Sequence, residues 1–535
     1  MKKRKFTFLI PNSTWNGKRY WHNFPYVEGL LTGVLKNHGY DVDVIDANID
    51  NLNPGQIADQ LRDLKPELLG ISTLTLEYKD SSHQAFAIAK EVNPEIITIM
   101  GGIYPTMSPE IVTKDKNIDY VVLGEGEDRL PKLLDAIEAG HGFDKIDGLA
   151  WRENGSMQIN EMQEVLAMDL NNLPLPNYGP FDMERYTNYL QKYTQNFRFK
   201  KLPIAVTMAS RGCQYRCTFC SCFAIYSQAV RDRSSDNVLS EVDMLIEKHG
   251  IKEFVFVDDA FFYDKPKAIR ILQGLKDRRE AGYDLTWKSN NLGIAPLADE
   301  ALVDLMLEAG AYQMIVSIES GSKNTLKRMK KPVSLPKARK TLQMMSKKGF
   351  DDISSNFVIG MPGDTWEDIR ESFDWVEKQV DDGLLDYVVF HIATPFPGTE
   401  VYTVSKENGW LPDDFNFEDP KYYGFGRGVI TTPDFTPQEL QALRTFEWDR
   451  INFKTPEKRE KIAQMLGITM DELQAWRMDT RRSNGLQVET TDKRQEQEQE
   501  DLLSLVTEDW TKEKDMKVMG IPVENVPHGQ FLYNI

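Results

Sequence analysis

Cysteine is scarce in this sequence: four in 535 residues, all between Cys213 and Cys222. A disulfide framework needs thiols spread through the chain, so that class is excluded and the cysteines read as reduced, which leads us to expect a cytoplasmic protein. Long apolar runs are also missing. No stretch of about 18 apolar residues occurs, so no membrane span is expected. Met1 to Lys5 is basic, but Phe6–Ile10 is too short for a signal core and runs into Pro11. Positive charge is in deficit: Lys and Arg number 64 against 82 Asp and Glu, a net charge of -18. That balance excludes a general binder of nucleic acid or anionic membrane. What is present, 41% hydrophobic and 27% charged residues, suits a soluble chain of several domains with ample core.

Residues 5–145 alternate strand and helix patterns. Short apolar runs at Phe6–Ile10, Asp41–Ile45, Leu68–Ser72, Ile96–Met100 and Tyr120–Leu123 are separated by helical segments at Val27–His38, Pro54–Leu64 and Ser82–Val92. Such alternation predicts a parallel, doubly wound sheet. Ligands of such sheets lie beyond the carboxyl ends of the strands. Those ends read Pro11-Asn12-Ser13, Ser72-Thr73-Leu74-Thr75, Gly101-Gly102-Ile103-Tyr104-Pro105 and Gly124-Glu125-Gly126. A Gly-Gly pair is also what any tight strand-to-helix turn needs. Residues 146–199 read as a connector, with a small hairpin around Glu153-Asn154-Gly155 and a proline-rich linker at Leu173–Asn177.

From 200 to 425 the alternation returns. Strands are expected at Pro203–Ala209, Glu253–Val257, Leu285–Ser289, Gln313–Ser317, Ile353–Ile359 and Asp386–His391, with helices such as Ser235–His249 and Pro266–Ala281 between them. Six units are too few for a closed eight-stranded barrel and predict a partial, open one. Residues 426–535 read as a helical C-terminal region. Caps stand at Thr436 and Thr455, the span Ile462–Leu473 opens like a helix-turn-helix, and Glu489–Asp501 is a charged stretch.

The four cysteines follow the first strand of the second series as Arg211-Gly212-Cys213-Gln214-Tyr215-Arg216-Cys217-Thr218-Phe219-Cys220-Ser221-Cys222. Three chemistries are open to such a loop. A structural zinc wants four closed ligands, often as two separated pairs. A closed four-cysteine cluster would use Cys222 as well. A three-cysteine 4Fe–4S cluster would leave one iron free to chelate a substrate, and C-x3-C-x2-C suits it best. With an aromatic before the last cysteine, this loop resembles the radical S-adenosylmethionine (AdoMet) signature. The four earlier strand ends together resemble the cobalamin-binding domain, a Rossmann-like fold.

These resemblances imply a fold and a set of contacts. The fold is α/β: a cobalamin-binding domain, a partial (β/α)6 radical AdoMet core and a helical tail. Cys213, Cys217 and Cys220 would hold the cluster, and Cys222 would be a bystander. AdoMet would meet Phe219, Asp258, Asp259, Ser289, Glu319, Ser320, Ile359 and Gly360. Asn290 and Asn291 stand where relatives often have Thr-Arg. Cobalamin would meet Ser72, Thr73, Leu74, Gly101, Gly102, Tyr104, Gly124, Glu125 and Gly126. Pro11–Gly17 lacks the family's Asp-x-His-x-x-Gly, and Tyr104 replaces the histidine common after Gly-Gly, so no histidine is expected beneath cobalt. The family's chemistry is one-electron cleavage of AdoMet to a 5′-deoxyadenosyl radical. The activity expected is methylation of an unactivated carbon, or of phosphorus, in a small-molecule substrate, with flavodoxin or ferredoxin as outside electron donor. The same domain order resembles the anaerobic magnesium-protoporphyrin monomethyl ester cyclase. Readings from other classes are a cobalamin-binding regulator and an electron carrier.

Overall fold

The computed structural model describes residues 3–13, 15, 24–74, 79–153, 156–162, 169–193, 199–222, 226, 229–419, 422 and 427–483. The first sheet holds β1 (Phe6–Ile10), β2 (Val42–Asp46), β3 (Leu68–Ser72), β4 (Ile97–Gly101), β5 (Tyr120–Val122), β6 (Leu149–Glu153) and β7 (Ser156–Ile159), in the order β2-β1-β3-β4-β5-β6-β7. The strands from β1 to β5 are parallel; β6 and β7 add antiparallel. The hairpin expected in the connector is therefore part of this sheet. Its Leu149, Ala150 and Trp151 are apolar and buried, which a free-standing hairpin could not provide. Between strands, local chemistry sets the helix ends. Asn53 and Gln56, for example, form a reciprocal capping box at the start of helix Pro54–Leu64.

The second sheet runs β15-β14-β13-β12-β11-β8, built from β8 (Ile204–Thr207), β11 (Glu253–Phe256), β12 (Thr286–Gly293), β13 (Ala311–Glu319), β14 (Asp352–Ile359) and β15 (Tyr387–Ile392). All neighbours are parallel, and chain order equals spatial order. The two middle strands run longer than their apolar patterns predict. Register shifts near Ser289–Leu292 and Ser317–Glu319 carry the pairing past the polar residues there. A short antiparallel ribbon of β9 (Ser210–Arg211) and β10 (Arg231–Asp232) closes the base of the cysteine loop.

Two segments do more than connect. The proline segment is a strap: Asn177 N donates to Gly29 O at 2.8 Å, and Tyr178 packs edge-on against Phe24 with ring centres 5.1 Å apart. Phe24, Tyr26 and Tyr178 thereby join the hydrophobic core of the second sheet. The helix Pro437–Asn452 covers the free edge of β15. Asn452 accepts from Val388 N and donates to Val388 O, both at 2.9 Å, as a neighbouring strand would. Arg444 donates to Phe390 O. This protects an edge that would otherwise invite pairing. Helices Pro456–Leu466 and Met470–Ser483 pack behind it, where the helix-turn-helix pattern was expected, with Arg477 paired to the buried Asp449 of the covering helix. The charged stretch Glu489–Asp501 lies outside the described residues. No helix among the described residues is long and apolar enough to cross a membrane.

Candidate active site

The cysteine loop is fixed at its base by carboxylates on two sides. From the second sheet, Asp258 accepts from Ala209 N through both oxygens at 3.0 Å and from Ser210 Oγ at 2.6 Å. Burial pushes its carboxyl up to about 6. From the first sheet, Glu127 takes Arg211 Nη2 at 2.5 Å. Glu125 takes Arg211 Nη1 at 3.2 Å and Arg231 Nη1 at 2.8 Å. Burial pushes the Glu125 carboxyl up, but Arg231 and Arg211 outweigh it and hold it below the usual range. The acidic turn after β5 thus grips the two arginines that face each other across the ribbon.

Within the loop, Gly212 has φ 89°, and a Cβ there would stand 2.4 Å from Ala229 O. Only glycine fits so tight an approach in that conformation. Cys220 N bonds to Cys217 O at 3.1 Å. Thr218 N bonds to Met329 O at 3.1 Å, and Val401 N to Thr218 O at 3.0 Å. Phe219 packs on a small apolar cluster of Met329, Val358, Met361, Ala393, Val401 and Ile430. These contacts tie the loop to the far end of the sheet.

Cys217 is buried, and Cys213 and Cys220 are half-buried. Burial pushes the Cys217 thiol up to about 11, and those of Cys213 and Cys220 upward as well. The three thiols feel one another's charge, and Lys331 is the cation acting on both Cys213 and Cys217. Burial holds these thiols in the protonated form. As cluster ligands they would be thiolates, and an iron–sulfur cluster would supply the positive charge that one lysine cannot. Cys222 bonds instead to Asp259, which also accepts from Gly212 N. The fourth thiol is thereby taken up by a carboxylate.

The other expected AdoMet residues cluster at the strand ends. Glu319 closes β13 with φ 74°, a left-handed conformation costly for any residue but glycine, and its carboxylate meets Lys331 Nζ at 2.9 Å. Ser289 presents a buried hydroxyl with no partner among the described residues. Ser320 instead serves the backbone, accepting from Ser322 N at 3.1 Å and lying 3.4 Å from Ser372 Oγ. Ile359 ends β14, and Gly360 lies against Leu440 of the covering helix.

On the first sheet, Ser72 and Gly101 end β3 and β4 in register. Gly102, at φ 104°, lies so close to Thr73 that a Cβ would meet Thr73 O at 2.5 Å. Thr73 in turn bonds to Gly101 O, Tyr104 N and Ser82 Oγ. Leu74 is the last described residue before 75–78. Tyr104 is buried, and its hydroxyl donates to Glu418 Oε2 at 3.0 Å and meets His83 at 3.2 Å. Glu418 belongs to the segment after the second sheet. Gly124 N bonds to Thr106 Oγ1 at 2.7 Å, and Gly126 opens the helix Gly126–Ala139.

Sequence reasoning missed Arg211, Arg231 and Glu127, and assigned Glu125 to cobalamin and Asp258 to AdoMet. In the structure the carboxylates of Glu125 and Asp258 hold the loop. A basic residue at each end of a loop, beside an acidic Gly-Glu-Gly-Glu turn, was the available signal.

Comparison with known proteins agrees with this arrangement. Residues 208–376 match the Radical SAM superfamily, and residues 20–134 match the B12 binding domain. An uncharacterised methyltransferase of Pyrococcus horikoshii is 30% identical over 71% of this chain and 78% of its own length. The cytidylyl-2-hydroxyethylphosphonate methyltransferase of Streptomyces wedmorensis is 27% identical over 82% of this chain and 88% of its own. The anaerobic magnesium-protoporphyrin IX monomethyl ester cyclase of Rubrivivax gelatinosus is 27% identical over 77% and 71%. Among solved structures, the cobalamin-dependent AdoMet radical enzyme OxsB, with aqua-cobalamin and AdoMet bound, aligns with a TM-score of 0.70 at 16% identity, covering 95% of this chain and 76% of that one. The methyltransferase TsrM of Kitasatospora setae, with cobalamin and a [4Fe-4S] cluster, aligns at 0.62 and 16% identity, covering 86% and 99%. Both likenesses concern the fold.

Proposed function

We infer, for a chain that belongs to the cobalamin-binding members of the radical SAM superfamily, methyl transfer to an unactivated carbon or to phosphorus of a small-molecule substrate. The chain is an enzyme of this family, with a 4Fe–4S cluster, AdoMet and cobalamin as its cofactors. When bound, the cluster supplies the electron that splits AdoMet, and cobalamin carries the methyl group. We assign the cluster to Cys213, Cys217 and Cys220. Glu319, Lys331, Ser289 and Asp259 stand nearest in role to an AdoMet site, with Phe219, Ser320, Ile359 and Gly360 shaping it. Asp258 acts through the backbone of Ala209 and Ser210. On the other side, Ser72, Thr73, Leu74, Gly101, Gly102, Gly124 and Gly126 offer backbone at the strand ends, and Tyr104 and Glu125 brace it. The reduced thiols suit a cytoplasmic setting.

One observation carries this reading: the buried pairing of Glu125 and Glu127 with Arg211 and Arg231. It joins the ligand-facing end of the first sheet to the cysteine loop, as methyl transfer between cofactors on the two sheets requires. The cyclase relative supports a second outcome, ring formation without methyl transfer. The two are separated by anaerobic reconstitution with iron, sulfide, cobalamin and methyl-labelled AdoMet. Methyl transfer yields 5′-deoxyadenosine together with S-adenosylhomocysteine, and label in the product. Deoxyadenosine alone would turn the assignment to the cyclase type.

A further inference from the structure

Charge is distributed unevenly in this acidic chain. Between Glu319 and Asp351 stand Lys323, Lys327, Arg328, Lys330, Lys331, Lys337, Arg339, Lys340, Lys347 and Lys348, and no Asp or Glu. Half of these cations are used inside the fold. Arg328 pairs with Asp364 and Asp368, Lys330 with Glu400, Lys331 with Glu319, Arg339 with Asp382, and Lys348 with Glu300 and Asp304. The other five, Lys323, Lys327, Lys337, Lys340 and Lys347, are exposed and have no ion pair among the described residues. Of these, Lys323 and Lys327 lie on the short helix Lys323–Arg328.

That helix is the wall of the cysteine loop. Thr218, between Cys217 and Cys220, bonds through its N to Met329 O at 3.1 Å and through Oγ1 to Arg328 O at 3.3 Å. A groove of about 500 Å³ follows the contact, lined by Thr218, Lys327, Arg328, Lys330, Pro362 and Glu400 among others. Lys327 therefore stands on the wall against which the loop packs at Thr218.

We propose that Lys323 and Lys327, with the groove beside Thr218, dock an acidic protein that carries a one-electron redox group near its surface. The proposal rests on the functional reading above, which consumes an electron that no side chain here supplies. Electron-transfer encounters are small and transient, so charge steers them more than apolar area does. The patch has that character: two exposed lysines beside a groove bordered by further cations, on a molecule whose overall charge would otherwise repel an acidic partner. In the docked step the carrier loses one electron and is oxidised. Cys213, Cys217 and Cys220 would hold the centre that takes this electron up and is reduced; no proton moves and no covalent bond changes.

The test uses the full reconstituted chain and flavodoxin as the acidic probe. Binding is followed by surface plasmon resonance from about 0.05 M to about 0.5 M ionic strength, over which screening becomes severe. In the double variant K323E/K327E, Kd is expected to rise about tenfold at low salt, with the difference closing at high salt. K347E, beyond the far end of the helix Leu335–Met345, itself about 16 Å long, is expected to stay within about twofold of wild type. Deoxyadenosine formation driven by dithionite, which needs no docking, should be unchanged in both. An unaltered Kd in K323E/K327E, or an equal loss in K347E, would overturn the proposal. So would a labelled oligonucleotide that displaces flavodoxin and binds more tightly. Failure of wild type to cleave AdoMet with dithionite would instead sink the functional reading, while the binding comparison still decides the docking.

Discussion

β4 and β13 leave their sheets through left-handed backbone, as β14 does at Gly360, but the first two use opposite residues to do it. After β4 the turn is made by Gly102, φ 104°, where a Cβ would strike the backbone of Thr73 at 2.5 to 2.8 Å. At the end of β13 it is made by Glu319, φ 74°, which has a Cβ and a carboxylate. The first site selects for shape, because there is no room for anything but hydrogen. The second tolerates about 1–2 kcal/mol of backbone strain to place a charge beside Lys331 and the thiols. The same division runs through both sheets. The first presents mainly backbone and small residues, its Glu125 and Glu127 being spent on Arg211 and Arg231; the second adds carboxylates, a lysine and sulfur to its small Ser289, Ser320 and Gly360. A large, largely neutral ligand face suits the former, and a metal centre with a charged co-substrate suits the latter.

The sharpest break of this contrast lies at the thiols. Alanine at Cys213, Cys217 or Cys220 is expected to abolish both bound iron and AdoMet cleavage. Cys222→Ala should keep its iron, because its thiol bonds to Asp259. Iron and sulfide per chain, read with the visible spectrum, check this. Loss of the cluster in Cys222→Ala with retention in Cys213→Ala would reassign the ligands.

Next come the left-handed exits of β4 and β13, tested as a pair. Gly102→Ala meets backbone, not a side chain that can move, and should cost about 3 kcal/mol or more. It should also lower cobalamin retention. Glu319→Gly relieves strain, but it leaves Lys331 buried without its partner, a loss of about 3–5 kcal/mol. The net effect should be a smaller destabilisation, about 2 kcal/mol, with cobalamin retained and AdoMet cleavage impaired. Urea unfolding and the absorbance of bound cobalamin separate the two. Equal loss of cobalamin in both variants would erase the distinction between the sheets.

The legible part of this molecule was the part governed by local pattern. Strands buried on both faces read as apolar runs, and helices announced themselves by caps such as Asn53 and Thr436. The cysteine spacing spoke for itself. What stayed hidden was pairing at a distance. Nothing in Asp258-Asp259 says that the first carboxylate turns inward to the backbone of Ala209 and the second toward Cys222. Nothing local ties Glu125 and Glu127 to arginines 84 to 106 residues away. The strap at Leu173–Asn177 read as a linker because its proline pattern is extended, while its role is set by Tyr178 finding space over Gly29.

Tyr104 gives the finest test of the division. It stands where cobalamin-binding relatives often place a histidine, so a ligand role would be natural. Its hydroxyl is instead spent on Glu418 Oε2 at 3.0 Å and on His83, which is held by Asp115 at 2.6 Å. That chain links the first sheet to the segment after the second, and makes the phenol a strut. Tyr104→Phe keeps the ring in its buried place and removes the charge-assisted hydrogen bond to Glu418 together with the contact to His83. A loss of about 1–3 kcal/mol follows if Glu418 is left short of a donor. Lys79 Nζ, 3.8 Å from the same oxygen, should move in and keep the loss near about 1 kcal/mol. Cobalamin affinity should change by less than about twofold, since a strut contributes to the fold and not to the ligand. Thermal unfolding of the cobalamin-free chain and titration with hydroxocobalamin measure the two separately. Unchanged stability with affinity lowered about tenfold, some 1.4 kcal/mol, would make Tyr104 a ligand-facing residue. The first sheet would then carry side-chain recognition that the contrast with the second denies it.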